Sequence, residues 1–332
     1  MDLTTRYLGL TLRNPLIASA SPLNNDIGNI RQLEDYGAGA VVMPSIFEEQ
    51  IDREQATIEL LATRGTDSYG ESLSYLPSSS LYALDTASYS EVIRKAVGAV
   101  EIPVIASLNG ITNGGWIEYA KQIEEAGASA LELNIYFIPS DLTMSGRDVE
   151  QRYLDVLGAV KQAVKIPVAV KIGPYFSSPG HMALQLDAAG ADGLVLFNRF
   201  YEPDIDVRRL ELTSQLELSS THELRLPLLW IAVIAGQTKA SLAASTGVTS
   251  GEDVIKYILA GADVVMTTSA LLRHGLSHMR ALIDQVKHWL EVRDLNGMSR
   301  IRGSMSYSGI ADTTAYTRAN YIKTIQGYGV RR

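Results

Sequence analysis

Four stretches of the chain repeat one design. They read YGAGAVVMP (36–44), AGASALELN (126–134), AGADGLVLFN (189–198) and AGADVVMTT (260–268). Each places Gly-Ala ahead of a short run rich in β-branched and other apolar residues. A glycine at that point ends the preceding helix, because it enters the left-handed backbone region without a Cβ penalty. The apolar run that follows reads as a strand buried on both faces, as in parallel sheets. A unit of this kind cannot bury itself alone, so its repetition predicts a layered α/β architecture.

A second signature alternates with the first. NPLIASAS (14–21), IPVIASLN (102–109) and IPVAVKIG (166–173) each set a proline just before a short apolar strand, where a missing N–H is tolerated. KASLAASTG (239–247) fills the seventh place without a proline. The count reaches eight strands. Helical stretches such as GGWIEYAKQIEEAG (114–127) and DVEQRYLDVLGAVKQAV (148–164) fit between them. The expected fold is α/β, a single (β/α)8 TIM barrel, with an open doubly wound sheet as its rival. The barrel is expected over 1–302, and 303–332 as a C-terminal extension packed on or beside it. Two long βα insertions, 45–102 and 199–239, are expected at the C-terminal face, where barrel active sites form. LPLLWIAVIAG (226–236) is read as a helix entered at Pro227, because a helix is needed before the seventh strand.

Bulk properties exclude several functions. The net charge is -8 over 332 residues and no long basic run appears, which argues against nucleic acid as a partner. There is no cysteine. Thiolate zinc sites, cysteine nucleophiles and an iron–sulfur cluster held by this chain are therefore excluded. MDLTTRYLGL lacks a basic-then-apolar signal pattern, and the longest apolar run is far short of the ~20 residues a membrane span needs. A cytoplasmic location and no membrane contact are the expectations.

Polar residues gather at the strand ends: Ser19 and Ala20, Ser45, Ser107 and Asn109, Asn134, Lys171, Asn198, Thr246-Gly247 and Thr268-Ser269. Lys171 interrupts an apolar run, where a cation is costly unless paired. It either snorkels to solvent or aims into the barrel mouth, to meet an anion or form a Schiff base. Asn134 and Asn198 suit amide-like edges, or cap their loops. Residues 245–275 hold the loops after strands seven and eight, the usual barrel phosphate site. Ser250-Gly251-Glu252-Asp253 opens a helix there, where amides and dipole attract an anion. An ordinary capped helix is the plain alternative. His274 and His278 have metal-chelating spacing but no third ligand. A surface or cap role is expected, and no metal site.

These motifs together are similar to the flavin-dependent dihydroorotate dehydrogenase family, in its bacterial dihydroorotate dehydrogenase-like branch. The carriers are NPLIASAS, LELNIYFIP, IPVAVKIGPYF and TGVTSGEDVIKYILAGADVVMTTSAL. The resemblance implies bound FMN and a place in pyrimidine biosynthesis. The phosphate would lie on Thr246-Gly247 and Thr268-Ser269. The ring would lie near Ala18, Ser19, Ala20, Ser45 and Asn109, with Lys171 at its N1/O2 edge and Asn134 and Asn198 on the substrate. It implies a base taking a proton from C5 of dihydroorotate while hydride passes from C6 to flavin N5.

Two positions depart from the family pattern. The family's Cys or Ser base corresponds to Phe137 in Asn134-Ile135-Tyr136-Phe137-Ile138-Pro139, and a second-strand lysine corresponds to Met43. The base is thereby unassigned, with Tyr136 and Asp141 on the same loop as candidates. Expected partners are a small-molecule substrate and a soluble electron acceptor such as fumarate, or a partner flavoprotein; a homodimer is the expected assembly. Two alternatives stand beside this reading. One is a non-flavin phosphate-binding barrel, a lyase or isomerase using Lys171. The other is a catalytically altered flavin-binding homologue.

Overall fold

A computed structural model describes residues 1–47, 86–109, 116–199, 203–213, 216–317 and 319–328. Eight strands form one closed barrel: β1 (Leu16–Ala18), β2 (Ala40–Phe47), β3 (Val104–Asn109), β4 (Ala130–Asn134), β5 (Val168–Ile172), β6 (Gly193–Leu196), β7 (Ser241–Ala244) and β8 (Val264–Thr267). All neighbouring pairs are parallel. The proline-free β7 pairs with β6 along its whole length, Ser241↔Gly193 through Ala244↔Leu196. β8 then closes on β1, so the open sheet is ruled out.

The glycines of the repeat do what the sequence asks of them. Gly37, Gly127, Gly190 and Gly261 all have positive φ, 97°, 91°, 96° and 119°. Each turns the chain from a helix into the next strand. The helices so ended are α1 (Ile27–Asp35), α3 (Trp116–Glu125), α5 (Pro179–Ala188) and α7 (Gly251–Ala260). The other outer helices include α2 (Thr86–Val97), α4 (Gly146–Ala163) and α6 (Arg225–Ile234). LPLLWIAVIAG is indeed helical, but α6 starts at Arg225 and a 3-10 turn at Thr221–Leu224 leads into it. Pro227 is tolerated because first-turn N–H groups have no intrahelical acceptor.

Alternation along each strand divides the core in two. Ile17, Val42, Ile105, Ala130, Ala169, Val195, Ala243 and Val264 point into the barrel. Their neighbours Val41, Leu131, Leu133, Val168, Val170, Leu194 and Val265 join the layer beneath the helices. An antiparallel hairpin, Thr5–Tyr7 with Leu10–Leu12, covers the N-terminal end. Its Tyr7, Leu8 and Leu12 belong to the interior cluster, and the Leu8 N–H donates to Ser241 Oγ at 3.2 Å. Thus the hairpin plugs the N-terminal end of the barrel.

The insertion expected at 45–102 lies largely outside the described residues. The second holds a short hairpin, Asp204–Asp206 with Glu211–Thr213. After the barrel helices α8 (Ser269–His274) and α9 (His278–Glu291), the C-terminal segment runs across α7 and α6. Gly303, Met305 and Tyr307 donate to the carbonyls of Ile258, Leu259 and Ala232. The last helix is α10 (Ala319–Tyr328). No helix among the described residues is long and apolar enough to cross a membrane.

One position tests the helix-to-strand turn. A Cβ on Gly261 would lie 2.4 Å from the Ala235 Cβ, on a backbone with φ 119°. Strain and overpacking each cost about 1–3 kcal/mol. Gly261→Ala is expected to destabilise by at least about 2 kcal/mol in urea unfolding, with m unchanged.

Candidate active site

A cavity of about 580 Å³ opens at the C-terminal ends of the strands, within the size range of small-ligand sites. Period-two alternation aims its floor. On β4, Ala130, Glu132 and Asn134 share one face, and on β5 Ala169 and Lys171 do, with Asn134 directly opposite Lys171. The result is one polar layer above an apolar barrel interior.

Lys171 is 7% exposed and lines the cavity. It does not snorkel to solvent. Its Nζ lies 3.4 Å from Oε1 of Glu132, which is fully buried. The other carboxylate oxygen, Oε2, has no hydrogen-bond partner. Glu132 was missed in the sequence, although its place two residues before Asn134 on a buried strand marks it as inward-facing. Above the pair, Asn198 Nδ2 donates to Asn134 Oδ1 at 2.6 Å. On the far side Ser45 Oγ and Ser107 Oγ are 2.7 Å apart. Tyr89 from α2 backs this pair by donating to the Pro44 carbonyl at 2.9 Å.

The opposite rim is built by β7 and β8. Thr246 and Gly247 both adopt positive φ, 80° and 76°. A Cβ on Gly247 would meet the Leu224 backbone N at 2.7 Å, so only glycine fits. The Tyr257 hydroxyl fixes this turn by donating to the Thr246 carbonyl at 2.7 Å. Across from it, Thr268 Oγ1 is buried and has no partner. Ser219 Oγ donates to Ser269 Oγ at 2.9 Å. Arg273 holds that loop down by donating to the Ser219 and Leu218 carbonyls. Ser219 was not foreseen, because an irregular loop carries no periodicity to place it.

Most of the expected site residues converge. Ser19, Ala20, Ser45, Asn109, Asn134 and Lys171 line the cavity on one side. Asn198, Thr246, Gly247, Thr268 and Ser269 complete it on the other. Arg199, paired with Glu223 at 2.7 Å, also lines it and was not foreseen.

Ala18, Asp141 and the helix start at Ser250 differ from expectation. Ala18 points outward into the layer between barrel and helices and is absent from the cavity wall. Met43 likewise points outward, and beside the register shift in β2 between Val42 and Ser45 it is Pro44 and Ser45 that line the cavity. On the loop after β4 the bulk facing the cavity is Tyr136, not Phe137, whose ring lies 4.4 Å beneath the Arg152 guanidinium. Asp141 is exposed, lies outside the cavity, and accepts from Thr143 N and Oγ1. Those hydrogen bonds hold its carboxyl below the usual range, the reverse of the rise a base near neutral pH requires.

Finally, the amides opening α7 are already used. Asp253 accepts from Thr249 N and Ser250 N, and Gln285 from Gly251 N. The plain capped helix is what is found there. His274 and His278 stack at 4.8 Å, and His278 Nε2 lies 3.0 Å from the Thr249 carbonyl. No metal-binding cluster occurs among the described residues.

Comparison with known proteins agrees with this architecture. The sequence profile named Dihydroorotate dehydrogenase matches residues 2–290. A provisionally named dihydroorotate dehydrogenase A (fumarate) of Aeropyrum pernix is 33% identical over 221 residues, 64% of this chain and 71% of the relative. The catalytic subunit of dihydroorotate dehydrogenase B (NAD(+)) of Endomicrobium trichonymphae is 24% identical over 92% of this chain and 97% of its own length. Its Thermoplasma acidophilum counterpart is 26% identical over 87% and 94%. With a family match across nearly the whole barrel, the chain belongs to the dihydroorotate dehydrogenase family, flavin-dependent oxidoreductases that act on CH–CH bonds.

Proposed function

We propose that the cavity binds FMN and oxidises a dihydropyrimidine-like substrate, with dihydroorotate the leading choice. The observation that carries this is the polarity of the cavity's two ends. Lys171, a cation braced by a buried carboxylate, stands at one end, and the unpartnered Thr268 hydroxyl stands at the other. A flavin mononucleotide has matching ends: a pyrimidine edge that becomes negative on reduction, and a phosphate rich in acceptors.

The donor set fits that group. Thr268 Oγ1, Ser269 and the Gly247 backbone would hold the phosphate, and Gly247 is required because a side chain there would strike Leu224. Lys171 and Asn109 would hold the ring's polar edge, with Ser19, Ala20 and Ser45 along the ring. When bound, FMN supplies a hydride acceptor, which no side chain can provide. Lys171 then stabilises developing negative charge through a fixed, desolvated contact. Asn134 and Asn198, locked to one another, present the remaining amide donors and acceptors to an amide-edged substrate. Tyr136, which lines the cavity from the loop after β4, is the candidate to take the substrate proton. The electron acceptor is a small soluble oxidant or a partner flavoprotein, since this chain has no cysteine to carry an iron–sulfur relay.

A second reading, a flavin protein with altered chemistry, is favoured by one observation. Tyr136 rather than a Cys or Ser is the loop's contribution to the cavity. The Schiff-base lyase reading loses ground, because Lys171 is held in an ion pair while that chemistry needs a free amine.

Three measurements decide among these. The purified chain should be yellow, and anaerobic dihydroorotate should bleach it on a catalytic timescale. Colour without bleaching selects the altered homologue, and no flavin uptake at all sinks both flavin readings. Tyr136→Phe should slow bleaching by ~10²–10⁴ in stopped flow; an unchanged rate removes Tyr136 from the mechanism. Thr268→Val deletes a buried hydroxyl that has no hydrogen-bond partner among the described residues. Its flavin-free melting temperature should therefore hold or rise. FMN affinity should fall by roughly tenfold or more, the worth of one hydrogen bond to a charged group.

A further inference from the structure

Two polar atoms inside the barrel lack partners, and they are complementary. Glu132 Oε2 is an acceptor without a donor, and Tyr7 OH is a donor without an acceptor. Both side chains are enclosed, at 0% and 1% exposure. Glu132 stands on β4 opposite Ala169 of β5 and Ser107 of β3. Tyr7 rises from the plugging hairpin into the cluster that contains Ala130 and Ala169, the residues below and beside Glu132. The Tyr7 ring passes close to Gly193 on β6, where a Cβ would lie 3.4 Å from its Cε2. Burial pushes the Tyr7 phenol well above its usual range, and the Glu132 charge pushes it further. The phenol is thus kept as a donor.

A buried carboxylate with one contact at 3.4 Å is under-supported. Charge-assisted hydrogen bonds run about 2.7–2.9 Å, and an ionised carboxylate accepts several. Leaving such a charge unpaired is among the costlier defects of a core. The two atoms are not directly hydrogen-bonded to each other, but one water bridging Tyr7 OH to Glu132 Oε2 would give both a partner at once. The polar residue directly opposite Glu132 on β3, Ser107, has its hydroxyl within hydrogen-bonding distance of Ser45 Oγ, at 2.7 Å.

We propose that Tyr7 and Glu132 are positioning residues that hold Lys171, so that the N-terminal plug, from beneath, sets the charge presented to the flavin. The chain runs from the closed end of the barrel to its open end: Tyr7 braces Glu132, and Glu132 orients and partly offsets Lys171. Neither Tyr7 nor Glu132 is among the residues that line the cavity, so both act from behind the lysine as positioning residues. This inference rests on the FMN reading of the site.

The test is the midpoint potential of FMN bound to the full chain. Glu132→Gln removes a buried negative charge beneath the lysine. Reduced FMN should then bind about tenfold more tightly relative to oxidised FMN, a rise of about 30 mV for a two-electron couple. Tyr7→Phe should shift the potential in the same direction by less, because a carboxylate without that support aligns less firmly on Lys171 and offsets its charge less. Glu132→Asp, which keeps the charge, should stay near the wild-type value. A role in packing alone would lower melting temperature without this signed pattern. Lys171→Gln separates the two levels of argument. If it leaves the potential unchanged, the flavin placement fails. If it lowers the potential while Glu132→Gln and Tyr7→Phe do not raise it, the positioning inference alone fails. Should Glu132→Gln not fold, Tyr7→Phe, which deletes one oxygen, still decides: an unaltered potential overturns the proposal.

Discussion

The constraint on which this molecule depends is the two-residue period of a parallel strand inside a closed barrel. Closure leaves no edge, so every barrel residue points either into a narrow interior or out towards the helices. On β4 that choice sends Leu131 and Leu133 outward and Ala130, Glu132 and Asn134 inward. On β5 it sends Val170 outward and Lys171 inward. The charge pair, the Asn134–Asn198 link and the floor of the cavity all follow. A one-residue slip in either strand would exchange the ionic layer for leucines and valines. The site and the fold are therefore specified by the same register.

The left-handed glycines make that register reachable. Each of Gly37, Gly127, Gly190 and Gly261 stops a helix at a fixed residue and returns the chain to the sheet. Gly39 shows how tight the return is: a Cβ there would lie 2.4 Å from the Asn14 carbonyl oxygen. The spacing from such a glycine to the strand's polar end then fixes which residue reaches the mouth. In the second and fourth repeats the same device delivers Asn134 and the Thr267-Thr268 end of β8.

Where periodicity ruled, the sequence was readable. The eight strands, the turn glycines, Lys171, Asn134 and the β7–β8 rim all lie on regular elements or directly at their ends. The misreadings sit where the period breaks. Pro44 cannot donate to the ladder, and at the register shift beside it both Pro44 and Ser45 come to line the cavity, which simple alternation does not announce. Ala18 failed by parity, one residue before the inward Ser19. Tyr136 and Phe137 lie beyond β4 in an irregular loop, and tertiary contact decides between them there. The Arg152 side chain on α4 draws Phe137 out, and no local pattern announces that. The anion reading of Ser250 failed for a different reason. The capping box that identifies a helix start also consumes the donors that an anion would need.

The loop after β4 and the layer beneath it bear differently on function. On the function proposed above, proton removal would fall to a loop side chain, the part of a barrel that varies most easily. Charge stabilisation would fall to Lys171 and Glu132, which sit on strands whose register cannot change without dismantling the barrel. A chain of this design can alter its proton acceptor while keeping a cation fixed at the flavin edge. That separation accounts for the combination seen here. The rim that would hold a phosphate is built to glycine-level tolerance at Gly247 and the charged layer is buried. The loop after β4, by contrast, brings Tyr136 to the cavity and turns Phe137 towards Arg152. The binding half of the site is committed by the fold, and the reactive half is left to a loop.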